Sequence, residues 1–298
     1  MYKTERQNDR PITLNDISYL IGAAELASSL DDPDIRIVDC RFELLSPEAG
    51  RDSYLERHIP SAVYADLDKD LAGPVGPNTG RHPLPDVASA ATTFSTLGID
   101  QSTRVVVYDD ASGAVAARAW WLLRWLGHER VLLLDGGLAE WTAQGLPMES
   151  GQVDIEPREF SANPRDDLIL VTDEILAAAN SATDLRLIDA RDLIRFLGEA
   201  EPIDTVAGHI AGARNLPYST SLGEDGLWKI PERLAAGLAN VLDGAPDAPW
   251  AVMCGSGVTA CHLVIAGLLA GYREPRVYVG SWSEWIADPT RQIAKGPA

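Results

Sequence analysis

Val252-Met253-Cys254-Gly255-Ser256-Gly257-Val258-Thr259 reads as the end of a buried strand, a thiol, a loop of small residues and the entry to a helix. The following segment, Ala260 to Gly271, carries Leu263, Val264, Leu268 and Leu269 at helical spacing. A thiol at such a turn has a physical reason to react. Loop N–H groups can curl around the sulfur, and the helix N-terminus adds partial positive charge, so the thiolate is favoured. Gly255 and Gly257 allow backbone paths closed to other residues. Ser256 and Thr259 add hydroxyl donors. The plain alternative is a small core cysteine ahead of a Gly-rich turn, because free cysteines behave as buried hydrophobes.

The rest of the chain bears on that choice. Short apolar runs end in an acid at Ile35–Asp39 and Arg104–Asp109, and the second half repeats the order. Leu185–Arg191 mirrors Ile35–Arg41, and Ala207–Ala213 mirrors Arg57–Val63. Trp250–Cys254 mirrors Val105–Asp109, and Val279–Trp285 mirrors Asp135–Trp141. An offset of about 150 residues indicates a duplicated domain rather than a solenoid. Strands alternating with helices imply, in each half, a parallel sheet flanked by helices on both faces. The early segment Asn15–Leu30 is amphipathic and reads as helix, as do Val87–Leu97 and Ala114–Leu126. The polar, Pro-containing stretch Leu146–Arg165 marks a linker. The domains are therefore set at 12–147 and 167–290, with 148–166 between them. Ligands of such sheets sit beyond the C-terminal strand ends, which places Cys254 in a site and Asp109 at the matching point of the first half. An Asp cannot act as a sulfur nucleophile, so one half is active and the other is not.

Composition narrows the function classes. The formal net charge is −19 over 298 residues, which argues against a broad basic surface for nucleic acid but not against a small anionic substrate held by a few arginines. No apolar run is long enough to span a bilayer. Met1–Pro11 lacks the apolar core of a signal peptide, so a cytoplasmic protein without membrane partners is expected. Cys40, Cys254 and Cys261 make neither a disulfide framework nor a zinc site.

These residues together resemble the two-domain rhodanese family of sulfurtransferases, over roughly Leu14 to Ile286. The resemblance rests on the duplicated strand–Asp motif, the His58-Ile59-Pro60 and His209-Ile210-Ala211-Gly212 segments, and Gly280-Ser281-Trp282-Ser283-Glu284-Trp285. It implies α/β tandem rhodanese-like domains. It also implies sulfur transfer through a persulfide on Cys254, with no metal or organic cofactor. The Cys-Gly-Ser-Gly-Val-Thr loop is similar to that of 3-mercaptopyruvate sulfurtransferases, whereas thiosulfate enzymes usually carry Arg-Lys where this chain has Gly255-Ser256. On the same resemblance, Ser256, His82 and Asp68 match a proton relay at the domain interface. Arg195 matches a carboxylate-binding arginine, and Gly255, Gly257, Val258 and Thr259 complete the substrate loop. The family's mercaptopyruvate members often add a second arginine just past a Glu-Pro, where this chain reads Glu201-Pro202-Ile203-Asp204. The acceptor implied is cyanide, a small thiol or a thioredoxin-like protein.

The remaining histidines and arginines read differently. His58 and His209 recur in both halves, as do Arg41 and Arg191, which marks them as structural. Trp282 lines either the rim of the site or the core. A phosphatase of related fold would carry an arginine where this chain has Ala260, and a nucleotide P-loop would need Gly-Lys-Ser/Thr. Two alternatives stay open: thiosulfate as the donor, or a persulfide carrier or redox-responsive binding protein without turnover. In the latter, Cys261 could serve as a resolving thiol, although it also suits the inner face of its helix.

Overall fold

The computed structural model describes residues 18–179 and 185–297. The first half runs β1 (Leu20–Ile21), α1 (Ala23–Ala27), β2 (Ile35–Asp39), α2 (Ala49–Glu56), β3 (Val63–Tyr64), α3 (Val87–Thr96), β4 (Arg104–Tyr108), α4 (Ala116–Trp125), β5 (Val131–Leu134) and α5 (Gly137–Ala143). The second runs β6 (Ile169–Leu170), α6 (Thr172–Ala179), β7 (Arg186–Asp189), α7 (Leu193–Leu197), β8 (His209–Ile210), β9 (Arg214–Asn215), α8 (Pro231–Val241), β10 (Trp250–Met253), α9 (Ala260–Leu269), β11 (Arg276–Tyr278), α10 (Ser281–Trp285) and β12 (Ile293–Ala294).

Each half builds one five-stranded sheet, in the orders β1-β5-β4-β2-β3 and β6-β11-β10-β7-β9. Every pairing within them is parallel. Position for position the two orders are the same, which is the duplication in three dimensions. The Ile, Val and Leu runs of β2 and β5 are buried at every residue, as is β10, as strands covered on both faces must be. A small antiparallel pair, β12 on β8, is added to the second half.

The central strands β4 and β10 feed α4 and α9. Every residue of α4 is buried, as is Ala260–Gly267 of α9. A helix buried on every side needs cover all round, and beyond their own sheets these two supply it to each other: α4 packs on α9. One apolar cluster therefore runs through both halves, from Trp121 and Leu123 to Leu263 and Val264, while separate clusters close the outer faces. The loops that begin α4 and α9 consequently meet at the seam between domains.

The recurrent polar residues are structural in both halves. Arg41 and Arg191 pair with the buried carboxylates Asp39 and Asp189 at 2.7 and 2.6 Å, and each donates from Nη2 to a backbone carbonyl, of Arg57 and Gly208. His58 Nδ1–H donates to Tyr54 O and His209 Nδ1–H to Phe196 O, and each ring stacks on the same aromatic residue. Trp282 belongs to the core: it is 0 % exposed, and Nε1–H donates to Val206 O.

One expectation changes. Asn15–Asp16–Ile17 lies outside the described residues, and the remainder of the expected Asn15–Leu30 helix is the edge strand β1, a break at Gly22 and the five-residue α1. Pairing with β5 recruits Leu20–Ile21 into the sheet, and such tertiary pairing outweighs local helical preference. The stretch between the domains has contacts of its own. Glu149 bridges to His58, Arg158 N–H donates to Ser95 O, and Phe160 packs on Phe94, so 148–165 is strapped to the first domain.

Candidate active site

Cys254 follows β10 and is 2 % exposed. Its N–H donates to Ser281 Oγ at 3.1 Å, and that hydroxyl donates onward to Tyr278 O at 2.8 Å. Cys254 O and Gly255 O accept from Trp282 N–H and Ser283 N–H at the start of α10. The loop is thus fixed from below on both sides of the thiol. Gly257 has φ 75°, and a Cβ there would lie 2.3 Å from Val279 O, so no other residue fits. Its carbonyl is taken by Arg118 Nη1 at 3.2 Å and the Cys261 thiol at 3.3 Å. Val258 is buried in the shared core and offers a ligand only its backbone. Thr259 caps α9 without a side-chain cap bond.

The first domain displays what such a turn holds. Asp109 Oδ1 accepts from Ala111 N–H and Gly113 N–H, and Oδ2 from Val115 N–H and Ala116 N–H, at 2.7–2.9 Å. Four converging backbone donors make a cradle for one anionic group. Asp109 is 0 % exposed and is followed by α4 as Cys254 is by α9. Leu138 N–H donates to Asp109 O as Trp282 N–H donates to Cys254 O.

The structure brings Ser256, His82 and Asp68 into one chain across the seam. His82 Nδ1 lies 2.8 Å from Ser256 Oγ, and Nε2 lies 3.2 Å from Asp68 Oδ1, off the line of a good hydrogen bond. Burial first, then Arg118 and Arg81, drop the His82 pKa to about 3. The Asp68 carboxylate pulls the other way, but at 42 % exposure it is screened by solvent. A neutral ring with Nε2–H toward Asp68 leaves Nδ1 to accept the Ser256 proton. Burial, then Asp66, raises the Asp68 pKa.

Sequence reasoning passed over three residues that complete the site. Arg118, from α4, is fully buried and donates to four carbonyls: Gly257 O, Leu71 O at 3.3 Å, Pro83 O at 3.3 Å and His82 O at 3.5 Å. It ties the His82 segment to the catalytic loop. Arg195 presents Nε to Glu201 at 2.9 Å and Nη2 to Asp204 at 3.0 Å. The other oxygen of Asp204 accepts from Arg81 Nη1 at 2.7 Å, so Asp204 joins an arginine from each domain. Adjacency of Arg81 to His82 was the available signal; Asp204 had none beyond its place in the Glu-Pro-Ile-Asp segment. Among the described residues no His, Cys, Asp or Glu cluster could hold a metal ion, and no helix is long and apolar enough to cross a membrane. Cys261 is buried and its thiol is pushed up to about 12 by that burial, a direction opposite to that of a reactive thiolate.

The Rhodanese-like domain family matches residues 22–144 and 172–288. The chain belongs to the rhodanese family. Its relatives extend over nearly its full length. A Pseudomonas aeruginosa protein, "Probable 3-mercaptopyruvate sulfurtransferase", is 48 % identical over 281 residues, 94 % of this chain and 99 % of that one. The thiosulfate sulfurtransferase of Bos taurus is 35 % identical over 274 residues, 89 % and 90 % of the two chains. The crystal structure of SseA, a 3-mercaptopyruvate sulfotransferase of Escherichia coli, superposes with a TM-score of 0.78 at 34 % identity, covering 90 % of this chain and all of that one. This rhodanese is accordingly a two-domain sulfurtransferase, with a parallel sheet in each half.

Proposed function

We propose that this sulfurtransferase takes sulfur from 3-mercaptopyruvate onto Cys254 and passes it to a thiophilic acceptor. The observation that carries the reading is the 2.8 Å contact between His82 Nδ1 and Ser256 Oγ, made across the domain seam two residues from the thiol. A proton-handling group suits a donor whose own thiol must lose its proton.

The Cys254 thiolate attacks the donor sulfur, and an S–S bond forms as the C3–S bond breaks. The released electron pair leaves on C3 as the enolate of pyruvate. The donor's thiol proton ends on C3, with Ser256 and His82 as its route and Asp68 orienting the ring. The persulfide anion Cys254–S–S⁻ then lies within the loop of Gly255, Ser256, Gly257, Val258 and Thr259. Its N–H groups play the part that four donors play around Asp109. Cyanide or a thiolate attacks the outer sulfur and regenerates the Cys254 thiolate. The carrier is Cys254 itself, so the sequence of steps calls for no metal or organic cofactor. Arg195 holds the donor carboxylate. A reducing, cytoplasmic setting belongs to the same reading, supported by Cys40, Cys254 and Cys261 all being free thiols; a small thiol or thioredoxin-like protein would be its acceptor there.

The test is steady-state thiocyanate formation from 3-mercaptopyruvate and from thiosulfate, for wild type and Cys254→Ser. The reading expects a higher kcat/KM for 3-mercaptopyruvate and no turnover by Cys254→Ser. Preference for thiosulfate would transfer the assignment to the second donor, which the missing arginine at Ile203 favours. Loading of Cys254 without turnover of either donor would favour a persulfide carrier.

A further inference from the structure

Arg195 alone is a poor receptor for an anion. Its guanidinium already faces two buried carboxylates, Glu201 and Asp204, each 4 % exposed, while neighbouring Arg191 is matched by Asp189. Counted without Arg81, this patch beside Gly255 carries one negative charge in excess, and an anionic donor would be repelled from it. Ile203, between the two acids, is apolar and 45 % exposed and adds no charge.

Arg81 reverses the balance. Its Nη2 lies 3.3 Å from where a Cβ on Gly255 would stand, and Arg195 Nη2 lies 3.5 Å from the same point. Both guanidinia therefore flank the residue that follows the nucleophile. Arg81 Nη1 is on Asp204, its Nε is buried without a hydrogen-bond partner, and among the described residues Nη2 has none either. The Arg81 side chain is 27 % exposed, so Nη2 is open to solvent and within reach of an entering anion, and the buried, unpartnered Nε calls for an explanation. The segment is also held in place. Arg81 N–H donates to Ser283 Oγ at 3.0 Å, and Gly80 packs so tightly on Gly280 that a Cβ would lie 2.5 Å from its carbonyl oxygen.

We propose that Arg81, from the non-catalytic domain, is the second guanidinium of the donor-carboxylate site, with Asp204 as the bridge that sets its distance from Arg195. This rests on the reading of 3-mercaptopyruvate as donor. The carboxylate then lies between cations from both domains, so the donor is gripped only where the two are docked.

The experiment uses the full chain and the variants Arg81→Met, which keeps the stem, Arg81→Lys, which keeps the charge, Arg195→Met and the double Met variant. It reads kcat and KM for 3-mercaptopyruvate and the inhibition constant of pyruvate, a carboxylate without the reacting sulfur. Loss of one charge-assisted contact predicts a rise of roughly ten- to a hundredfold in KM and in the pyruvate constant for Arg81→Met, larger than any fall in kcat. Arg81→Lys recovers part of it. The double variant loses less than the product of the singles, because both arginines hold one carboxylate. A fall in kcat with KM and the pyruvate constant unmoved would reduce Arg81 to a support for His82 and overturn the proposal, as would no change at all. A wild type that does not turn over 3-mercaptopyruvate would overturn the donor reading before any variant is compared.

Discussion

In the proposed route His82 passes protons on and does not keep them. With its pKa dropped to about 3 by burial, Arg118 and Arg81, the ring is neutral at every pH where the enzyme would be assayed. His82→Gln should lower kcat with 3-mercaptopyruvate by roughly a hundredfold or more, the usual range for a lost acid–base group. Asp68→Asn should cost less, since this carboxylate is 42 % exposed and water can orient the ring in its place. Equal losses in the two variants would contradict that ranking. The kcat profile of the wild type should show no inflection from His82 between about pH 4 and 8, because the ring titrates below this window. Legibility at this scale followed the range of the contact. Cys254 and its loop are contiguous and were readable directly, and the relay was reached only through family likeness. Arg81 and Asp204 meet across 123 positions, and nothing local in either residue announces the other.

Among elements, the turn from β10 to α9 is the most constrained. Gly257→Ala would put a methyl group 2.3 Å from Val279 O at a backbone with φ 75°, and the loop must shift to relieve it. We expect loss of most of the activity and a destabilisation of about 1–3 kcal/mol, measured by thiocyanate assay and urea unfolding; an unaffected Gly257→Ala enzyme would show that the turn is softer than its geometry. The central strands and their succession along the chain were legible because buried parallel strands are short apolar runs and the duplication repeats them; the order within each sheet was not. The Asn15–Leu30 segment misled because its amphipathic spacing carries no record of β5, the partner that draws Leu20–Ile21 into a sheet. The docking of Phe160 and Arg158 was not legible in the composition of their segment, because it is a property of the surface they meet.

On the scale of the molecule, the core cluster shared by α4 and α9 predicts that the two domains unfold together, in one calorimetric transition rather than two. Acid should weaken that fold early. His82 and His262 are both buried and drop to about 3, while unfolded histidine titrates near 6.5. Between these values the unfolded chain binds more protons, so the stabilising contribution is complete above about pH 6.5 and is lost as pH falls through the window. The limiting slope is about 1.4 kcal/mol per pH unit for each ring. Urea midpoints at pH 7.5, 6 and 5 measure it, and His262→Gln should flatten the slope by about half of the part due to these two rings; an unchanged slope would remove His262 from the account.

The carboxylate of Asp109 has a last consequence. It fills its cradle permanently, with four amides satisfied by one negative group. On the proposed cycle, the catalytic turn has an anionic atom two bonds from Cβ, as a carboxylate oxygen is, only while sulfur is aboard. The first domain would then be a standing replica of the sulfur-loaded stage of its twin, and the cycle of the second would alternate between a cradle whose far donors are unfilled and one that resembles its sibling. Cargo should then act as a brace: the sulfur-loaded protein should melt at a higher temperature than the discharged one, and cyanide should return it to the lower value. Scanning calorimetry before and after discharge would display turnover as a change in heat resistance.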